Sequence, residues 1–148
     1  MPLILAMLAA QMATQPPLPK GTALPPPETA EGQVMVPVNA LLAAIGTRDA
    51  VAIGLTLRPD ATTTTATEQG GASTIAHKSR EEFLTRFAPG AERFEERLSD
   101  PAIEIDGNIA MVWGRYTFLI DGKVHHCGYD HFDLVRDSAG WKIQNLTW

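Results

Sequence analysis

Cysteine is almost missing from this 148-residue sequence: Cys127 stands alone, which excludes an internal disulfide framework. Basic clusters are missing as well. Twelve Lys and Arg are set against seventeen Asp and Glu, interspersed after residue 80, with no run or stripe to follow a phosphate backbone. Nucleic acid is therefore not an expected partner. No apolar stretch approaches the roughly 20 residues that a membrane-crossing helix needs, so no stable membrane insertion is expected. There is no internal repeat, which argues against solenoids and propellers. A hydrophobic fraction of 45% beside a charged fraction of 20% is ordinary for a globular protein and excludes a wholly disordered chain.

What is present divides the chain in three. Residues 3–10 form an unbroken apolar run, followed by small and then polar residues, the pattern of a secretory signal cut between Ala9 and Ala13. Residues 1–13 are read as that signal, which predicts a periplasmic or secreted protein. Eight of the eleven prolines lie before residue 38, so 14–35 is read as an extended Pro-rich linker that cannot offset its ordering entropy by burial. The folded domain is expected over 36–148, long enough for one core and too short for two.

Within it, Val38, Leu41, Leu42 and Ile45 recur at helical spacing, and Val51 with Leu55 makes a second pair. Gly46 and Asp49 break the two helices, and Pro59 stops the second. A β-branched stretch over 61–68, the turn Gly70-Gly71 and residues 73–77 read as a strand pair. Ser79 and Glu82 have the spacing of a capping box, followed by the apolar helix face Phe83, Leu84 and Phe87 and the stop Pro89-Gly90. Strands are expected over 92–105, 109–120, 123–136 and 141–148, punctuated by Asp106-Gly107, Asp121-Gly122 and Ala139-Gly140. This order predicts an α+β domain: a curved, mostly antiparallel sheet packed on about three helices.

Which side chains face the core depends on the turn at Asp121-Gly122. A two-residue turn sets Thr117 opposite His126 and Trp113 opposite Asp130. A three-residue loop with a bulge at Gly122 sets Tyr116 opposite His126 and Val112 opposite Asp130. The even residues of both strands (Ala110, Val112, Tyr116, Phe118 and Ile120; Val124, Phe132 and Leu134) make the cleaner apolar faces, which favours the bulged register with even residues inward. Tyr116, His126 and Asp130 are then the polar groups aimed at the interior, with Gly114 and Gly128 leaving clearance beside them.

Three constellations follow. Tyr116, His126 and Asp130 have the chemistry of a proton-transfer site: a base near neutrality, a carboxylate and a phenol donor. His126 and Asp130 lie about 13 Å apart along a strand, however, so a pocket of hydrogen-bonded polar groups that binds a ligand is the simpler expectation. His125, Cys127 and His131 share the odd face, but their spacing lacks the loop-borne pattern of structural zinc sites; no metal or other cofactor is expected. They read instead as an outer surface with Trp113 and Tyr129, wetted or in contact with a second copy. Nothing marks Cys127 as a nucleophile. Asn145-Leu146-Thr147 matches a glycosylation acceptor but falls within a strand.

The ordered set Glu96 to Tyr116, with Asp100-Pro101, Asp106-Gly107 and Trp113, continued by Phe118, Asp121-Gly122-Lys123, His126-Cys127-Gly128, Phe132, Leu134 and Gly140-Trp141-Lys142-Ile143, resembles the nuclear transport factor 2-like (cone-fold) superfamily. The nearest likeness is to its bacterial branch described as lumazine-binding or polyketide-cyclase-like. The resemblance implies a cone of six strands around helices, often a homodimer, with a pocket at its wide end. Such folds host isomerases, dehydratases, epoxide hydrolases and cyclases as well as non-catalytic members, so the fold does not transfer function. The leading expectation is binding of a small, partly apolar molecule, with Tyr116, Phe118, His126, Gly114 and Gly128 as lining residues. The alternatives are an isomerase, dehydratase or cyclase using His126 or Asp130 as base and Tyr116 as donor, and a non-catalytic dimerisation module with a collapsed pocket.

Overall fold

The computed structural model describes residues 24–148. The signal segment 1–13 and linker residues 14–23 lie outside the described residues. Helix α1 (Ala30–Thr47) begins where the Thr29 hydroxyl accepts the Gly32 N–H at 3.0 Å. The domain therefore starts before Val36, the expected boundary. Val34 and Met35 are both buried, so the apolar stripe runs one turn further back than its visible period. Pro37 lies inside the helix and is buried. The helix ends at Arg48, in the left-handed region at φ 55°, and Asp49 caps α2 (Ala50–Thr56) by accepting the Ala52 N–H.

Strands β1 (Leu57–Gln69) and β2 (Ala72–Ser79) form the first hairpin, and the Ser79–Glu82 capping box then starts α3 (Arg80–Leu84), which runs into a 3-10 turn at Thr85–Phe87. Pro59 does not stop α2 but sits within β1, where the pairing with β6 is irregular between Leu57 and Thr62. β3 (Phe94–Asp106), β4 (Ile109–Ile120), β5 (Lys123–Asp137) and β6 (Gly140–Thr147) follow as a meander. All six strands share one sheet in the order β2-β1-β6-β5-β4-β3, antiparallel except for β1 beside β6. This is the expected α+β architecture. Val38, Leu41 and Ile45 of α1 pack on Val112, Phe132, Leu134 and Ile143 of the sheet. Each such side chain, fully buried, stabilises the fold by about 1.5–3 kcal/mol.

Two irregularities position the site. In β3 the pairing with β4 shifts between Ser99 and Ala102, where Asp100 has φ 49° ahead of Pro101. In β5 it shifts between Phe118 and Leu119, and His125 is the unpaired extra residue. The turn itself has two residues, Asp121 and Gly122, both at positive φ as a type I′ turn requires. The bulge thus lies in the strand, not in the loop, and the pairs are Phe118 with His126, Tyr116 with Gly128 and Gly114 with Asp130. Neither expected set of partners is correct, although even residues still share a face with even residues. Val124 is the exception among them: it pairs with Leu119 on the turn side of the bulge and is exposed.

Candidate functional site

A cavity of about 200 Å³ opens between the helices and the β3–β5 end of the sheet. Its walls are mainly aromatic. Phe83 from α3, Phe94 from β3, Phe118 from β4 and Trp148 surround it, with Ile45 and Leu146 behind. Trp148 is fixed by backbone bonds to both Thr64 and Ala66 of β1, which brings its ring 5.9 Å from Phe83. Phe94 and Phe118 meet at 5.3 Å. The cavity is not collapsed.

The polar lining groups are Arg86, Glu96, His125, His126 and Asp130. Asp130 is 2% exposed. Glu96 faces it from β3, near enough for the two carboxyls to share a hydrogen bond, Asp130 donating. Burial raises both above the ordinary carboxyl range, and the charge of Glu96 raises Asp130 further, so the pair retains a proton at neutral pH. The Arg86 guanidinium, exposed at the rim and 5.5 Å over the Trp148 ring, partly offsets the burial of Glu96.

His125 and His126 come to the same cavity because of the bulge, which breaks the alternation that would otherwise send neighbours to opposite faces. Their Nδ1 atoms are 2.8 Å apart, so one ring donates there and the other accepts. His126 lies against Phe118, centroids 4.9 Å apart. Burial first, then His125 and Arg86, lower its pKa, leaving a neutral imidazole at pH 7.

The sequence-predicted residues are partly brought together. Phe118, His126 and Asp130 line the cavity. Tyr116 is buried behind it, with its ring 5.6 Å from His126; burial and then the charges of Asp130 and Glu96 push its phenol up to about 12. Gly114 and Gly128 leave no clearance for a ligand. A side chain at Gly114 would meet Leu98 Cδ1 at 2.8 Å, and one at Gly128 would meet Tyr116 Cε1 at 3.0 Å, so protein atoms already fill both gaps.

On the other face, Cys127 is exposed, and Trp113 and Tyr129 stack at 5.1 Å with His131 edge-on to Trp113. His131 lies 3.5 Å from Asp133. No group of three metal-ligating side chains occurs among the described residues. Asn145 accepts from the Thr62 hydroxyl at 2.7 Å within the sheet. Sequence reasoning missed Glu96, Arg86, Trp148 and the inward turn of His125. For Glu96 a signal existed: Pro101 in a strand marks a bulge, and a bulge there moves Glu96 onto the inward face.

The architecture is that of the nuclear transport factor 2-like proteins, also described as having a cystatin-like fold. Among solved structures, the chain is similar to a nuclear transport factor 2-like protein from Novosphingobium aromaticivorans, with TM-score 0.62 and 14% identity over 78% of this chain and 77% of that one. A protein of unknown function from Nostoc punctiforme gives TM-score 0.62 and 15% identity over 80% and 90% of the two chains. A provisionally named dehydratase of the nuclear transport factor 2-like family from Streptomyces avermitilis gives 0.57 and 19% over 78% and 91%. At these identities the likeness is one of fold. No protein-family model matches the chain, and no curated protein matches it.

Proposed function

We propose that the protein binds a small, partly apolar molecule in this cavity, with the molecule's polar end against the Asp130–Glu96 pair. The observation that carries this reading is the facing pair of carboxyls, Asp130 and Glu96, in the lining of an aromatic-walled space. The space exceeds the roughly 150 Å³ known to accept benzene in an engineered apolar cavity and suits one ring with a short substituent. Native mass spectrometry of protein from its source, followed by NMR titration of what co-purifies, tests the reading. Shifts should centre on Phe118, His126 and Asp130; shifts confined to the outer face would refute it.

One observation favours a second reading, an isomerase, dehydratase or cyclase working by general acid–base transfer. Two facing carboxyls that retain a proton, beside a neutral imidazole, have the equipment to give and take one. Solvent deuterium should then enter the α-carbon of a cavity-sized ketone such as 2-tetralone faster than in buffer, and Asp130→Asn should abolish the excess. A rate equal to that in buffer counts against it.

Two wider proposals accompany these. A homodimer would cover the exposed Trp113–Tyr129 stack, as the resemblance implies; light scattering should give twice the monomer mass, reduced to one by Trp113→Arg. The N-terminal apolar run supports export, and N-terminal sequencing of protein from its source should begin between residues 10 and 14.

A further inference from the structure

We propose that the cavity's ligand is a small protonated amine on an apolar, ring-sized body, its nitrogen seated against the carboxyls of Asp130 and Glu96. This inference rests on the binding reading above and narrows it.

The argument is one of charge balance. The ionisable groups facing the space are Glu96 from β3, Asp130, His125 and His126 from β5, and Arg86 from the 3-10 turn, with Tyr116 of β4 buried behind. Tyr116 and His126 are uncharged at neutral pH, and the two imidazoles already bond each other. With both carboxyls ionised, two negative charges would sit side by side at the buried end, with the Arg86 guanidinium out at the rim. Burial and the repulsion between the two carboxyls keep a proton on the pair. A ligand ammonium would supply the missing positive charge, let that proton leave, and replace it as the donor to the two carboxyls in the lining.

The walls suit the same ligand. Phe83, Phe94, Phe118 and Trp148 offer ring faces and edges to an apolar body, and ring faces attract a cation. An anion fits poorly, because its charge would meet two carboxyls at the buried end. A neutral alcohol could donate one hydrogen bond to a carboxyl oxygen but would leave the proton in place.

The test uses three probes of one size: 2-phenylethylamine, 2-phenylethanol and phenylacetate. Isothermal titration calorimetry of the full chain at pH 7, in phosphate and in Tris, reads affinity and proton release together. The amine should bind about tenfold or more tighter than the alcohol, as charge-assisted hydrogen bonds predict. It should also release close to one proton per site, whereas the alcohol releases none. Asp130→Asn and Glu96→Gln should each bring the amine-to-alcohol ratio toward one. Using both variants keeps the test sound if one misfolds by circular dichroism. Alcohol or phenylacetate binding as tightly as the amine, or amine binding without proton release, overturns this inference but leaves the cavity as a binding site. If none of the three perturbs the NMR signals of cavity residues at millimolar concentration, the binding reading fails and this inference with it.

Discussion

Replacing Asp130 by Asn should remove a large pH dependence of stability, and the size of the effect follows from the site. Asp130 is 2% exposed and faces the half-buried carboxyl of Glu96. In the folded protein burial raises Glu96 to about 7 and Asp130 to about 9, whereas an unfolded chain titrates both near 4. The native state therefore holds more protons than the unfolded state from about pH 4 up to those values. A raised carboxyl contributes stability that is complete below its unfolded pKa and is lost as pH rises through the folded one. Each retained proton tilts the unfolding free energy by about 1.4 kcal/mol per pH unit. Between pH 5 and 8 one proton retained by the pair is worth about 4 kcal/mol, a large part of a domain's usual 5–15 kcal/mol. Asn keeps the shape, and its amide can still donate to Glu96, but it cannot ionise. Urea unfolding from pH 5 to 8 should show the wild type losing stability steeply and Asp130→Asn losing much less. The two should converge near pH 5, with the variant the more stable at pH 8. Parallel profiles would show that the Asp130 carboxyl is not held neutral by burial, and the charge-balance argument would fall with it.

Other sites give sharper local expectations. Gly114→Ala would press on Leu98 and on the Ser99 carbonyl at 3.2 Å, an overpacking cost of about 1–3 kcal/mol by urea midpoint. Arg48→Gly would relieve the positive φ yet lose the guanidinium bond to Ala88 O at 2.9 Å and the contact 4.2 Å from the Phe94 ring centre. A net loss of about 1–2 kcal/mol is expected, and a gain would show that backbone strain dominates there. Ser79→Ala removes the capping box of the short helix that carries Phe83. It should cost about 1 kcal/mol, with faster amide exchange at Glu82, whose N–H loses its acceptor.

The fold was legible because its signals are local and agree with one another. Asp49, the Ser79–Glu82 pair and Asp121-Gly122 each solve a backbone problem that the residues themselves announce. Hydrophobic alternation placed even residues inward on β4 and β5, which was enough to find Phe118, His126 and Asp130. It was not enough to find their partners. The bulges at Asp100-Pro101 and His125 each shift the frame of a strand, and no count of alternating residues shows where a shift falls. Glu96 was overlooked for that reason, and His125 was assigned to the wrong face. Arg86 and Trp148 are remote in sequence from the strands that they meet, and only the tertiary fold brings them to the cavity. The roles given to Gly114 and Gly128 failed differently. An absent side chain does leave space, but Leu98 and Tyr116 occupy it.

The extra residue in β5 has a consequence for how this chain tolerates change in its length. Residues 123 and 124 pair with Ile120 and Leu119, and pairing resumes at His126 with Phe118, so His125 alone stands outside the ladder. Its loss would join two segments already in step. Strands seldom permit a one-residue deletion, because everything beyond the gap turns over. Here the acid pair and the aromatic walls would keep their orientation, and only the entrance imidazole would be gone.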